Sequence, residues 1–203
     1  MKLILKYFKN ITKTQTIQFQ NLYCIYKKWN AKINVISRKD IDNIYEKHVL
    51  HSLAIAKFIN FTTGTKIIDV GTGGGFPGIP LAIIFPEVEF TLIDSTAKKI
   101  KVVDNIVNEL GLKNVKTYQK RSNEFNRKFD FITGRAVSSF PKFKESVKHL
   151  ISKKNKNKLP NGILYLKGGD FENEITNKNE KIIITNINNY FKEDFFETKK
   201  IIY

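Results

Sequence analysis

Hydrophobic positions before about residue 62 recur at helical spacings. A first stripe of apolar residues, separated by three or four positions, comprises Leu22, Ile25, Tyr26, Trp29 and Ile33. A second stripe with the same period runs from residue 41 to residue 59, and Asp40 precedes it as the expected N-cap. We therefore predict a helical extension over residues 1–62 that packs on the remainder of the chain, a domain over residues 63–203.

The pattern changes after residue 62, where short β-branched runs alternate with amphipathic stretches. Helices are predicted from the glycine cluster at 71–78 to Phe85, over 96–110 and over 140–151. The predicted strands are 67–70, 88–94, 115–118, 129–133, 163–167, 182–185 and 199–203. Alternation of this kind predicts an α/β fold, with a Rossmann-like, doubly wound and mostly parallel sheet. The final two strands have no long helix between them, so we expect the last strand to be antiparallel.

The glycine cluster carries the strongest chemical signal in the chain. Residues 69–78 read D-V-G-T-G-G-G-F-P-G and lie between a predicted strand and a predicted helix. Glycine is required where backbone approaches a ligand without an intervening Cβ. In open α/β sheets such a loop, beyond the carboxyl end of the first strand, is where ligands bind. The cluster therefore predicts a nucleotide-type site that includes Gly71 and Gly73.

Three interpretations of this loop remain open. A dinucleotide fingerprint fails from Gly71, because position 76 is Phe, but it matches formally from Gly73. The carboxylate of Asp69 disfavours a diphosphate and suits the cationic sulfonium and ammonium of S-adenosylmethionine. Asp94, at the end of the second strand, can accept hydrogen bonds from ribose hydroxyls in either ligand. The third interpretation is a structural tight turn; the sequence favours S-adenosylmethionine.

Charge and composition narrow the range of partners. The 203 residues contain 35 Lys and Arg against 19 Asp and Glu, a formal net charge of +16 that favours a polyanionic partner. Only four of these cations are arginines, so a lysine-rich compositional bias with a merely solvated surface is the alternative. The one cysteine, Cys24, excludes a disulfide framework and is expected to be buried. Apolar runs are too short for a membrane span or a secretory signal, so a soluble intracellular protein is expected.

Several motifs resemble those of the ribosomal RNA small subunit methyltransferase G family, also called glucose-inhibited division protein B. The most specific is the glycine–proline segment 69–81, followed by L-I-D-S at 92–95 and by Lys98-Lys99. Weaker resemblances follow in the family's order: W-N at 29–30, K-H-V-L-H-S at 47–52, R-S-N-E-F at 121–125, G-R-A at 134–136 and L-K-G at 166–168. The resemblance covers the chain from about residue 20 to its end.

The resemblance implies a class I methyltransferase fold and transfer of a methyl group from S-adenosylmethionine to N7 of guanosine 527 in 16S ribosomal RNA. It also implies a cytoplasmic enzyme that is a monomer, needs no metal and acts on 16S ribosomal RNA or on the small ribosomal subunit. The cofactor contacts that it implies are Gly71, Phe76, Ser122, Asn123 and Arg135. Three features depart from the family pattern: His51 in place of Asp, Asn123 in place of an acid, and the basic loop 152–158.

The residues are compatible with this chemistry. Guanine N7 carries a lone pair and no proton, so its methylation needs alignment but no general base. Arg135 is expected to clamp the cofactor or guanine O6, with a structural salt bridge as the alternative. His48 and Lys167 are candidate RNA contacts, weighed against helix packing and a solvated strand end. The competing functions are methylation of another acceptor, a nucleotide-dependent oxidoreductase that uses Gly73, and a non-catalytic RNA-binding module.

Overall fold

Helices form the amino-terminal part of the chain. In the computed structural model, which describes residues 1–169, 174 and 181–203, α1 spans Lys2–Tyr7 and α2 spans Lys13–Asn30. The backbone N–H of Gln15 donates to Thr12 Oγ1 (3.2 Å) and the N–H of Thr12 donates to Gln15 Oε1 (2.8 Å). This reciprocal capping box satisfies two donors that would otherwise lack partners at the start of α2.

The second predicted stripe is not one α-helix. It divides into a 3-10 turn (Ile41–Asn43), a π-helix (Tyr45–Leu50) and α3 (His51–Phe58). The prediction that Asp40 caps it is wrong, because Asp40 makes no side-chain capping bond. Its carboxylate instead accepts a hydrogen bond from Lys47 Nζ at 2.5 Å. The π-helical turn inserts an extra residue per turn, an arrangement often found at functional sites.

Within the described residues, seven strands form one sheet in the order β3-β2-β1-β4-β5-β7-β6. Strands β1 to β5 are parallel, and β7 is antiparallel to both β5 and β6, as the sequence predicted. The strands are β1 Lys66–Val70, β2 Glu89–Asp94, β3 Val115–Gln119, β4 Phe131–Arg135, β5 Gly162–Gly168, β6 Ile184–Asn186 and β7 Lys199–Ile202. The helices between them are α4 Gly78–Ile84, α5 Ala97–Glu109 and α6 Phe140–Val147. The chain winds outward in both directions from β1 and β4, which makes their junction the switch point of the sheet.

One helix is shorter than its hydrophobic pattern predicts. The pattern extends to Ile151, whereas α6 ends at Val147 and a 3-10 turn, Lys148–Leu150, follows. The carbonyl of Leu150 accepts a hydrogen bond from the N–H of Phe129 (2.8 Å), and Ser152 N–H donates to Phe129 O (2.8 Å). Pairing with the segment before β4 therefore takes the place of further helical bonds.

The two faces of the sheet have separate hydrophobic clusters. On one face, side chains of α2 and α3 join residues such as Ile79 and Leu92 in a single cluster. On the other face, Ile68, Ile93 and Phe143 belong to a smaller cluster under α6. The amino-terminal helices thus share a core with the sheet, while the domain boundary at residue 62 stays a prediction.

Cys24 and Trp29 both belong to α2, but they differ in how much of the side chain is exposed. Cys24 is exposed, so the prediction that it is a buried packing residue is wrong. Trp29 is half-buried against the core, and its Nε1–H donates to Glu109 of α5 at 2.8 Å. In the part of the chain that the structure describes, no helix combines the length and the apolar character needed to cross a bilayer.

Candidate cofactor cleft

A cleft of about 770 Å³ opens at the carboxyl edge of the sheet, beside the switch point. This volume falls within the range of small-molecule sites, about 300–1,000 Å³. Of the sequence-predicted site residues, the cleft brings together Gly71, Gly73, Asp94, Ser122, Asn123 and Arg135. It is also lined by Val70, Ser95, Thr96, Lys99, Lys120, Arg121, Ala136, Val137, Phe143 and Ser146.

The glycine loop that borders this cleft is built from left-handed backbone. Gly71, Gly73 and Gly75 have φ angles of 69°, 58° and 91°, a region that L-residues rarely adopt. A Cβ at Gly75 would lie 2.4 Å from Ile79 Cδ1, so that glycine lets the loop pack on α4. A Cβ at Gly73 would have nothing closer than 3.9 Å, so this position faces open space. Gly73 therefore leaves room for a ligand.

Asp69 lies beneath the loop and does not face the cleft, which corrects the expectation that its carboxylate meets the ligand. It is fully buried and accepts hydrogen bonds from Thr72 Oγ1 (2.6 Å), Gly78 N–H (3.0 Å) and Thr133 Oγ1 (3.1 Å). Burial raises the pKa of Asp69 to about 6, although these donors oppose the shift. Asp69 therefore holds the loop and the start of α4 in place.

Asp94 does reach the cleft, from the end of β2. One carboxylate oxygen accepts the N–H of Gly73 (3.1 Å) and the other accepts the N–H of Thr96 (2.8 Å). Because a carboxylate has about four acceptor positions, two remain for a ligand hydroxyl. Ser122 and Asn123 follow β3 in a 3-10 turn that lies at the same edge. These residues form the side of the cleft next to β2 and β3.

The charge of the cleft differs from the sequence expectation of an anionic crevice. Among its described lining residues, Asp94 is the one carboxylate, and it is accompanied by four cations. These cations are Lys99, Lys120, Arg121 and Arg135. A cleft with this balance of charges attracts anionic groups, either on a ligand or on a molecule that lies next to it.

Arg135 ends β4 and reaches toward the amino-terminal helices. Its guanidinium donates to the carbonyl oxygen of Lys47 (3.2 Å) and to His48 Nδ1 (2.9 Å). Its Cζ also lies 5.1 Å from the ring centre of Phe76, a cation–π contact. Burial lowers the pKa of Arg135 to about 10, so the side chain remains protonated at neutral pH. Arg135 thus links the cleft to the π-helix that carries His48.

This contact fixes the state of His48. Arginine only donates hydrogen bonds, so His48 Nδ1 must be the acceptor and Nε2 must carry the proton. Burial, together with the charge of Arg135, lowers the pKa of His48 to about 3, so the ring is neutral at physiological pH. Its Nε2 is buried without a hydrogen-bond partner among the described residues. The RNA contact predicted for His48 stays a prediction.

Phe76 and Lys167 have partners away from the cleft. The Phe76 side chain is buried and stacks on Tyr26 with a centroid distance of 4.9 Å. A contact between residue 76 and a cofactor would therefore involve its backbone. Lys167, near the end of β5, forms an ion pair with Glu174. Its predicted RNA contact would have to compete with this carboxylate.

His51 is a packing residue on α3. It is buried, and its ring makes edge-on contacts with Phe195 (5.7 Å) and Phe196 (6.2 Å). Burial lowers the pKa of His51 well below its usual value, so the ring is neutral. Where the family pattern has an acid, this chain therefore has an uncharged aromatic contact.

The segment after β4 contributes cleft residues that sequence reasoning did not identify. Ala136 has a φ of 51°, an uncommon conformation for a residue with a Cβ. Tyr165 Oη accepts hydrogen bonds from the N–H groups of Val137 (2.8 Å) and Ser138 (3.1 Å) and donates to Ser138 O (2.7 Å). The available signal was the position of this segment, directly after a predicted central strand.

Comparison with known proteins identifies the family. The family model for rRNA small subunit methyltransferase G matches residues 15–202. The chain belongs to this family. Among curated relatives, ribosomal RNA small subunit methyltransferase G of Phocaeicola vulgatus is 54% identical over 203 residues, with 100% of this chain and 97% of the relative covered. The protein of the same name from Flavobacterium johnsoniae is 56% identical over 200 residues, covering 98% and 95%.

Solved structures agree on the fold. A SAM-dependent methyltransferase from Aquifex aeolicus superposes with a TM-score of 0.54 at 17% identity, covering 82% of this chain and 97% of that one. An MtNAS variant in complex with S-adenosylmethionine gives a TM-score of 0.59 at 10% identity, covering 93% and 74%. At these identities the likeness concerns the fold, and it confirms the predicted Rossmann-like methyltransferase architecture of this family member.

Proposed function

We propose that this chain transfers a methyl group from S-adenosylmethionine to N7 of a guanosine in 16S ribosomal RNA, guanosine 527 by family resemblance. Family membership over residues 15–202 supports an rRNA methyltransferase. The cleft at the switch point supports a nucleoside-containing cofactor. The acceptor atom is argued below from the groups that line the cleft.

The cleft residues fit S-adenosylmethionine. The open space at Gly73 admits a ligand next to the loop backbone, and the free acceptor positions of Asp94 suit ribose hydroxyls. Ser122 and Asn123 supply a hydroxyl and an amide for the adenine edge. Arg135 supplies the cation for the cofactor carboxylate, and it is held in place by Lys47 O and His48 Nδ1. When bound, the cofactor supplies an electrophilic methyl group.

The dinucleotide alternative fits the loop less well. A diphosphate in such folds binds the free N–H groups at the start of the helix that follows the glycine loop. Here the N–H of Gly78, the first residue of α4, donates to Asp69 at 3.0 Å. A buried carboxylate therefore holds the position that a diphosphate would need. A Cβ at Gly78 would also lie 2.8 Å from Leu92 Cγ, so this glycine serves helix packing.

The observation that carries the N7 assignment is the lack of a free general base among the described residues of the cleft. Asp94 accepts two backbone N–H groups, its remaining acceptor positions are assigned to the ribose hydroxyls, and the other charged groups there are cations. The adjacent His48 has a pKa of about 3 and is a weak base. An exocyclic amine or a hydroxyl loses a proton on methylation, whereas guanine N7 does not. The chain's task is then to align the two reactants.

Transfer of labelled methyl to small-subunit RNA that lacks the modification, followed by digestion to nucleosides, tests this proposal. We expect label in 7-methylguanosine alone. Label in another nucleoside would overturn the acceptor assignment, and RNA binding without label would support the non-catalytic alternative. A parallel thermal-shift comparison of S-adenosylmethionine and NADH separates the two cofactors, because only the former should raise the melting temperature.

A further inference from the structure

A second cleft, of about 470 Å³, lies at the amino-terminal ends of β1, β2 and β3, at the edge of the sheet opposite the cofactor cleft. We call it the basic groove. Half of its ten lining residues are cations, namely Lys66, Lys113, Lys116, Arg127 and Lys128, and one, Glu89, is an acid. The whole chain has 35 cations to 19 acids, so the groove has a higher ratio of cations to acids than the chain as a whole.

The groove exists because one crossover lacks a helix. Parallel strands normally have helices over both faces of the sheet. Between β3 and β4 the chain has only the 3-10 turn Ser122–Glu124. The aromatic ring of Phe125 covers Tyr118 (centroids 5.5 Å apart), near the carboxyl end of β3. The amino-terminal half of the same face, with Thr91 and Lys116, is left open.

The cations of the groove point to an anionic partner. Lys66, Lys113, Lys116 and Arg127 are exposed, and none of them forms an ion pair with another described residue. Lys128 is also exposed, and its Nζ donates to His149 O. Nearby, Lys156 of the basic loop 152–158 reaches Asp130 (3.4 Å), whose carboxylate also accepts the N–H of Lys66 (2.8 Å). The loop therefore extends this positive surface.

The basic groove is also connected to the cofactor cleft. Strand β3 lies at one edge of the sheet, and cations are found near both of its ends. Lys113 and Lys116 line the groove, whereas Lys120 and Arg121 line the cofactor cleft. A phosphate backbone lying along β3 would contact both sites.

We propose that the basic groove binds the phosphate backbone of the ribosomal RNA substrate at a distance from the methylated guanosine. This inference rests on the proposed function, which supplies RNA as the partner. Glu89 and Asp94 lie at the two ends of β2, and five residue steps in a strand span about 17 Å. This separation is about two Debye lengths at physiological salt, so the groove charges have little influence on cofactor binding.

The test compares K113Q/K116Q/R127Q with the control K2Q/K9Q/K13Q, which removes three exposed lysines from α1, from the start of α2 and from the turn between these helices. Each lost phosphate contact lowers the salt dependence of binding, log K against log salt, by about 0.7–0.9. For the groove variant we expect a slope smaller by about two to three and binding to small-subunit RNA weaker by roughly tenfold to a hundredfold near 0.15 M salt. KM for RNA should rise, while kcat and the Kd for S-adenosylmethionine should stay at wild-type values.

Three results would overturn the proposal. The first is an unchanged salt slope of RNA binding in the groove variant, and the second is an equal loss of RNA affinity in the control variant. The third is weaker binding of the groove variant to assembled subunits with unchanged binding to naked RNA, which would indicate a protein partner. Circular dichroism of both variants verifies that they fold. Because RNA binding is measured without turnover, the groove can be tested even if the labelled nucleoside is not 7-methylguanosine.

Discussion

Replacing Asp69 by asparagine removes the buried charge beneath the glycine loop and keeps the size of the side chain. The pKa of Asp69 is about 6 in the folded protein and 3.8 ordinarily. The folded state therefore binds the proton more tightly than the unfolded state. The contribution of Asp69 to the free energy of unfolding is fully present below pH 3.8 and is lost as the pH rises through 6. One pH unit corresponds to about 1.4 kcal/mol, so the total loss is about 3 kcal/mol.

Chemical unfolding of wild type and D69N between pH 4.5 and 7.5 measures this effect. The free energy of unfolding of wild type relative to D69N should fall by about 2 kcal/mol over this range, with most of the change below pH 6. In D69N the side-chain amide faces the same three hydrogen-bond donors, which changes the free energy of unfolding by an amount that does not depend on pH. The comparison therefore uses the change of the free-energy difference with pH and not its absolute value. A difference that stays flat, or that rises with pH, would refute the argument, because the hydrogen bonds would then outweigh the cost of burial.

Three further substitutions test the geometry of the cofactor cleft. Gly73→Ala places a methyl group in the open space at a positive φ, so its Kd for S-adenosylmethionine, measured by calorimetry, should rise at least tenfold; an unchanged Kd would place the ligand elsewhere. Gly75→Ala should lower the melting temperature much more than Gly64→Ala, because both have positive φ but only Gly75 faces a 2.4 Å clash; equal shifts in thermal denaturation would contradict this. Tyr165→Phe loses three hydrogen bonds to the loop at Val137 and Ser138, at a cost of about 1–3 kcal/mol in urea unfolding. Wild-type stability in this variant would show that the hydroxyl does not organise the loop.

The sequence alone predicted most of the elements and the location of the site. Helical and strand periodicities are local, and so is the chemistry of the glycine loop that joins β1 to α4. The connection before β7 has no predicted long helix, and this predicted the antiparallel direction of β7, because a parallel return usually uses a crossover helix. Once a parallel sheet was inferred, the ends of β2 and β4 placed Asp94 and Arg135 at one edge with Gly71. The structure brings these three residues together in one cleft.

Only the tertiary structure decided which way the side chains point. Asp69 turns under the loop because Thr72, Gly78 and Thr133 offer donors there, and the last of these belongs to another strand. Arg135 meets His48, which is 87 positions away in the chain, and the basic groove depends on a face that no helix covers. Sequence periodicity assigns a residue to a face of its own element. What lies against that face depends on the packing of distant segments, which local patterns do not encode.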